Sequence, residues 1–283
     1  MILVTGATGS IGTALTRLLP PGTCTALVRD EAKGQALGCP FVVGDFDEPD
    51  SVAAAMRGVD ALFLNAAGAQ PTDGEQPMVG QQKRVIDAAR AAGVSYIVKV
   101  SVLGAKPGGK LATGAHWEIE QYLKAAGIRW SILRPNGFMQ NFITGAGLLT
   151  NDGDLIGPAG DSEISYIDCA DIAACAAALL TTRDKAGETF VLTGPAALSN
   201  SDIAGKLTVA LGRTVRYLPV PAEEMAAGIK AQGLPARFAD DVAALWAETG
   251  DGSLAPVTPA VRQLTGRDPR TFDEFLADLP VGR

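Results

Sequence analysis

Three glycines, Gly6, Gly9 and Gly12, stand at G-x-x-G-x-x-G spacing near the start of the 283-residue chain, in the run TGATGSIG. Gly6 can make a tight turn, Gly9 can let the backbone approach a pyrophosphate, and Gly12 can let a helix pack against the preceding strand. A helix starting there presents free N–H groups and roughly half a positive charge to that anion. Further along, Arg29 follows a second apolar run, with Lys33 one turn on. An acidic residue at that place would accept bonds from a free ribose 2′-hydroxyl, whereas arginine suits a 2′-phosphate. Arg29 therefore points to NADP(H) rather than NAD(H), although Asp30 beside it argues the other way. Asp45, Asn65 and Ser101 each close a further apolar run.

The elements that must position these residues follow from hydrophobic patterning. Ile2–Val4, Thr23–Val28, Phe41–Val43, Ala61–Leu64, Tyr96–Val100 and Trp130–Leu133 are short apolar runs without helical spacing, as expected of buried parallel strands. Between them, Thr13–Leu19, Pro49–Arg57, Gln81–Ala92 and Gly114–Ala126 read as helices, with residues 70–80 as a loop and Gly93 as a C-cap. This alternation specifies an α/β Rossmann-type fold, a doubly wound parallel sheet with helices on both faces. Ligands of such sheets lie beyond the carboxyl ends of the strands, where Arg29, Asp45, Asn65 and Ser101 fall. Pro135 should take the chain out of the sheet and send Asn136 to Asn141 across the mouth of the site.

After that the alternation fades. Ile164–Ile167 and Phe190–Leu192 read as short strands and Asp171–Leu180 as a helix; Ser201–Leu211, Ala222–Gln232 and Ala236–Glu248 read as helices of a small C-terminal α/β lobe. The expected division is a nucleotide-binding domain over 1–150, with sheet contributions from about 160–195, and a mainly helical substrate lobe over 196–283.

A net charge of −7, with 47% hydrophobic and 19% charged residues, argues against nucleic acid or an anionic membrane surface as a partner. No apolar stretch reaches the roughly 18 residues of a membrane span, and the chain opens on a strand without a basic leader. The four cysteines, Cys24, Cys39, Cys169 and Cys175, lack C-x-x-C spacing and suit reduced, buried thiols. The expectation is a cytoplasmic protein without a metal.

GATGSIG at 6–12, Arg29, Gly44-Asp45, VSVLGA at 100–105, WSILRPNGFMQN at 130–141, SYIDCADIA at 165–173 and GETFVLTG at 187–194 together resemble the NmrA-like atypical short-chain dehydrogenases. Within that group the pattern is most similar to bacterial NAD(P)H:quinone oxidoreductases and triphenylmethane reductases. The resemblance spans nearly the whole chain and implies a preference for NADP(H). It places Asp45 by the adenine and Asn65, Ala66 and Ser101 along the nicotinamide half. Thr8, Ser10, Ile11, Phe46, Ala67 and Pro135 are further expected cofactor contacts. The acceptor it implies is a quinone or a similar small conjugated molecule.

One departure bears on the chemistry. Orthodox short-chain dehydrogenases use Tyr-x-x-x-Lys as their acid, and none of Tyr96, Tyr122, Tyr166 or Tyr217 has lysine four residues on. The corresponding helix carries His116-Trp-Glu-Ile-Glu120. A quinone needs an acid less than a ketone does, because hydride transfer gives a stabilised phenolate. His116, the single histidine, is the candidate donor, polarised by Glu120 at i+4, with Ser101 as a second catalytic candidate. Phe138 and Met139 could stack on a flat acceptor or equally fill the seam between lobes, Asn141 could contact the acceptor or tie down the loop, and Lys99 reads as an edge or carboxyl-end lysine without chemistry. A non-catalytic NADP(H) sensor and a biosynthetic reductase of an aromatic metabolite are the alternatives; a nucleotide-sugar epimerase would need the missing pair. A homodimer is compatible with this reading.

Overall fold

The computed structural model describes residues 1–144, 149–150, 152–157 and 160–279. The strands are β1 (Ile2–Val4), β2 (Cys24–Val28), β3 (Phe41–Val43), β4 (Ala61–Leu64), β5 (Tyr96–Val100), β6 (Arg129–Pro135), β7 (Leu155–Gly157), β8 (Thr189–Leu192) and β9 (Tyr217–Pro219). Seven of them form one parallel sheet in the order β3-β2-β1-β4-β5-β6-β8, the doubly wound arrangement expected. The order reverses between β1 and β4, which pair in register with Leu3 opposite Leu62. A crevice must open above that pair, because the following connections leave to opposite sides.

Period-two alternation divides the strand side chains between two cores. Ile2, Val4, Phe63, Val98 and Leu133 point to one face, covered by α1 (Ser10–Leu18), α7 (Cys169–Thr182) and α11 (Ala260–Thr265). Leu3, Leu62, Leu64, Ile97 and Ile132 point to the other, under α3 (Pro49–Ala55), α4 (Pro77–Ala91) and α5 (Leu111–Ala125). At the same parity, Lys99 and Ser101 belong with Ile97, and Arg134 belongs with Ile132. Three polar side chains are thereby aimed at α4 and α5 near the carboxyl ends of β5 and β6.

Several boundaries differ from expectation. A short helix, α2 (Glu31–Gln35), stands between β2 and β3, and α1, α4 and α5 each begin three or four residues early. Asp30 caps α2, its carboxylate accepting from the Lys33 N–H at 3.0 Å. Pro135 does not end the sheet: it pairs with Leu192 as the last residue of β6, and the Asn136 N–H still donates to the Leu192 carbonyl. A proline costs a ladder only its own N–H. Ile164 and Ile167 make isolated bridges to Leu198 and Phe138 rather than a sheet strand.

The lobe has its own core of Met139, Phe142, Tyr166, Ile203, Leu207, Phe272 and Phe275. It includes α6 (Asn141–Thr144), α8 (Asn200–Leu211), α9 (Ala222–Ala231), α10 (Ala236–Thr249), α12 (Phe272–Ala277) and a two-stranded parallel sheet of β7 and β9. That sheet pairs strands some sixty residues apart. Within 196–283, α11 returns to the main core, where Ala260 and Val261 are buried.

Candidate functional site

The crevice between β1 and β4 is a cleft of about 280 Å³. Gly6, Ala7, Thr8 and Gly9 form its floor, Arg29, Asp45 and Phe46 one end, and Asn65, Ala66 and Ala67 the other. Each glycine answers a different constraint. Gly6 has φ +62°, and a side chain there would meet the Asn65 carbonyl at 3.0 Å. An added Cβ at Gly12 would stand 2.3 Å from the Gly6 carbonyl oxygen, so this glycine seats the helix on the turn itself rather than on the strand. At Gly9 the nearest atom to an added Cβ is 3.5 Å away, so here the missing side chain keeps space clear in the cleft.

The helix start suits an anion. Gly9 is the N-cap of α1, no side chain caps it, and no acidic residue occupies its first turn. Ser10 is exposed at that first turn, while Ile11 is buried and offers only its backbone. Thr5 locks the opposite wall, accepting from the Asn65 N–H at 2.9 Å and donating to its carbonyl at 2.8 Å. Arg29 is exposed at the cleft edge. Asp30 is occupied as the α2 cap, which removes the acidic competitor at this place. Lys33 is exposed on α2 and does not line the cleft. Gln70 and Gln81 also line it, unforeseen because they stand on a connection and a helix outside the strand ends.

The catalytic candidates lie in a second cluster, on the α4–α5 face. Ser101 is buried, and its hydroxyl donates to Glu120 Oε1 at 2.6 Å. It therefore turns away from the cleft, contrary to the expectation of a cofactor or catalytic contact by its side chain. Glu120 is fully buried and receives a two-pronged bond from Arg134, Nε to Oε1 at 2.8 Å and Nη2 to Oε2 at 2.6 Å. Burial alone would raise the Glu120 pKa, but hydrogen bonds from Arg134 and Ser101 outweigh it and hold the carboxyl below its usual range. Glu120 thus belongs to Arg134 and does not polarise His116.

His116 is instead paired with Lys99. The ammonium of Lys99 donates to Gln82 Oε1 at 2.9 Å and the Val100 carbonyl at 3.0 Å, and stands 3.0 Å from His116 Nδ1. Lys99 is 0% exposed in β5, which lies between β4 and β6, so it is no edge lysine. Burial pulls its pKa down to about 7, with the Glu120 charge working against the shift. Burial, and then the Lys99 charge, hold His116 well below the ordinary imidazole range. Gln82 Nε2 lies buried in the same cluster without a hydrogen-bond partner among the described residues.

Of the aromatic and loop candidates, Met139 takes the seam-filling place. Met139 is 1% exposed within the lobe core, so it cannot stack on an acceptor. Phe138 is half-buried against the main core, and its bridge to Ile167 holds the crossing segment. Asn141 begins α6, half-buried. The tie-down role falls to Gln140, which donates to Asp168 Oδ1 at 2.8 Å and accepts from the Cys169 N–H at 3.0 Å. Pro135 is buried, its carbonyl accepting from the Leu103 N–H. A larger cleft of about 440 Å³ lies where the starts of α4 and α5 meet α10, lined by Gln76, Lys110, Ala115, Trp117, Arg237 and Asp241. Ion pairs Lys110–Asp241 at 2.9 Å and Lys106–Glu248 at 2.7 Å join α10 to the segment preceding α5.

A 3-2-1-4-5-6 parallel order with a glycine turn and an uncapped helix at the switch point defines a dinucleotide-binding fold of the Rossmann type. Within that class the chain belongs to the NmrA-like family, which it matches over residues 1–276. It is 36% identical over 282 residues to an NAD(P)H azoreductase of Xenophilus azovorans, covering 97% of this chain and 96% of that one. It is 30% identical over 286 residues to quinone oxidoreductase 2 of Escherichia coli strain K12, covering 99% and 98% of the two chains. The solved structure of an NADPH-dependent quinone oxidoreductase of Escherichia coli in complex with NADPH superposes with a TM-score of 0.83 at 30% identity, covering 98% of this chain and 99% of the other.

Proposed function

We propose that the protein is an NADPH-dependent oxidoreductase that delivers hydride to a quinone or a similar conjugated small molecule. The observation that carries the reading is the β1–β4 cleft, where an uncapped helix start, a space kept clear by Gly9 and the arginine at its edge suit an NADP(H) pyrophosphate and 2′-phosphate. The similarity to a quinone oxidoreductase and an azoreductase supports the acceptor class. When bound, the dihydronicotinamide supplies two electrons and a proton as hydride.

The chain's own residues bind, orient and donate. Gly6, Thr8, Gly9, Ser10 and the Ile11 and Gly12 backbone hold the pyrophosphate, and Arg29 holds the 2′-phosphate. Asp45 and Phe46 flank the adenine; Asn65, Ala66 and Ala67 wall the nicotinamide half. The 440 Å³ cleft takes the acceptor, with Trp117 as the flat face in place of Phe138 and Met139. His116 lines neither cleft, but it keeps 8% exposure on α5 beside the larger one and donates to the acceptor oxygen from there. Four free cysteines suit a reducing cytoplasm, and among the described residues no helix is long and apolar enough to cross a membrane. The test is NADPH-dependent reduction of a quinone panel by the purified chain. Turnover supports the reading; tight NADPH binding with no turnover of any quinone, azo compound or dye refutes it.

A further inference from the structure

We infer that Lys99 is the positioning residue and proton source for His116, so that Lys99 and His116 form a two-step relay replacing the absent Tyr-x-x-x-Lys acid. This rests on the proposed reductase reading and adds to it how the reduced acceptor receives its proton.

The geometry starts from valence. A lysine ammonium has three N–H donors and no acceptor. Lys99 has three neighbours in reach, Gln82 Oε1, the Val100 carbonyl and His116 Nδ1 at 2.9 to 3.0 Å. The first two can only accept, so the third proton goes to Nδ1. An Nδ1 that accepts fixes the neutral ring as the Nε2–H tautomer. Among the described residues Nε2 has no hydrogen-bond partner, and it is not among the sealed unpartnered polar atoms, of which Gln82 Nε2 is the one found. His116 thus keeps its donor edge open, consistent with the 8% exposure it retains.

The charged and titratable groups around the pair are few. Gln82 comes from α4, and His116 and Glu120 from α5; Arg134 on β6, Ser101, and Lys124 on α5 at 3.5 Å from Glu120 reach the pair through Glu120. Glu120, already neutralised by Arg134, offers Lys99 a favourable field without competing for its proton. A lysine brought to about 7 can release a proton at neutral pH, which an ordinary surface lysine cannot.

The step balances. Hydride addition leaves the acceptor with two more electrons and an oxyanion. The oxyanion takes the Nε2 proton of His116, forming O–H and breaking Nε2–H. Nδ1 takes a proton from Lys99, which becomes an amine. After product leaves, water returns a proton through Nε2, and Nδ1 hands one back to Lys99. Hydride transfer to a cationic triarylmethane dye needs no proton, because a carbocation and a hydride give the neutral product. The relay is therefore irrelevant to such an acceptor.

Because the chain holds one histidine, ¹⁵N-labelled imidazole signals need no assignment. In wild type we expect a neutral Nε2–H tautomer with Nδ1 accepting from pH 5.5 up to about 7, where Lys99 is still an ammonium, and a change in the Nδ1 signal as Lys99 loses its proton. Lys99→Met should give a tautomer mixture and an imidazole that titrates at higher pH. In turnover, wild-type kcat for a quinone should fall above roughly pH 7. Lys99→Met should lower kcat roughly tenfold to a hundredfold, toward the lower reach of general-acid catalysis. It should abolish that pH limb and leave the NADPH Kd unchanged. Lys99→Gln, which keeps a donor but no mobile proton, serves if the methionine variant does not fold. An Nδ1–H tautomer below pH 7, or an ordinary imidazole titration, in wild type overturns the relay. So does an equal loss of quinone and cationic-dye reduction in a folded variant, which would mark Lys99 as structural only. Wild-type protein that binds NADPH but reduces nothing overturns the reductase reading instead, while the imidazole spectrum still decides the pairing.

Discussion

Replacing Arg29 with alanine tests the cofactor assignment most sharply, because the side chain can be removed without disturbing the core. It is exposed at the edge of the cleft, after β2 and before the Asp30 cap of α2, and it makes no side-chain hydrogen bond within the protein among the described residues. Its loss should therefore leave the melting temperature unaltered. A charge-assisted hydrogen bond to a phosphate contributes about 1.5–3 kcal/mol, and solvent screening favours the lower figure. That corresponds to a roughly 10- to 150-fold weaker NADPH Kd. NADH, which lacks the 2′-phosphate, should bind the variant and the wild type alike. Cofactor fluorescence titration at two salt concentrations supplies both numbers. The wild-type NADPH Kd should weaken with salt and the variant's should do so less, since one screened charge pair has gone. Equal weakening of NADPH and NADH would rule out a 2′-phosphate contact, because Arg29 would then act on a part common to both.

Other expectations follow from the same geometry. Gly9→Ala should fold normally, with an added Cβ no closer than 3.5 Å to other atoms, and should weaken NADPH by intruding on the pyrophosphate; thermal melts with and without NADPH check this. Gly12→Ala places a Cβ 2.3 Å from the Gly6 carbonyl and should cost about 1–3 kcal/mol of stability before cofactor is added, read by urea denaturation. Glu120→Gln strands Arg134 and should destabilise by about 3 kcal/mol. The Glu120 carboxyl is lowered in the folded state, so its contribution is complete above its unfolded value and is lost as pH falls through the folded one. The gap in stability between wild type and Glu120→Gln should accordingly shrink on acidification.

The β1–β4 cleft was legible in the sequence because its residues are local to strand ends. A short apolar run followed by Gly6, Arg29, Asp45 or Asn65 places each residue at the carboxyl edge of a parallel sheet by pattern alone. The α4–α5 cluster was hidden because no short window contains it. Lys99 meets Gln82 and His116, each seventeen residues away and on a different helix, and Glu120 meets Arg134 across fourteen. A lysine inside a hydrophobic strand resembles an edge residue until its neighbours β4 and β6 are known. The same reason turned Glu120 from a presumed partner of His116 into the partner of Arg134. Strand parity held the available clue, since Lys99, Ser101 and Arg134 share the parity of Ile97 and Ile132 and so a common face. Met139 stays open between two places in the sequence because an apolar residue on a crossing segment can face a ligand or a lobe core. The core is completed by Phe142, Tyr166 and Phe272, well separated in sequence.

In the proposed reaction the nucleotide held in the β1–β4 cleft gives hydride to a conjugated acceptor. Mixing the protein anaerobically with NADPH and a quinone, and following nucleotide absorbance together with product formation, tests it directly. One hydroquinone should form for each NADPH oxidised, with NADH a far weaker donor. Saturable NADPH binding without oxidation, across quinones, azo compounds and cationic dyes, would contradict it.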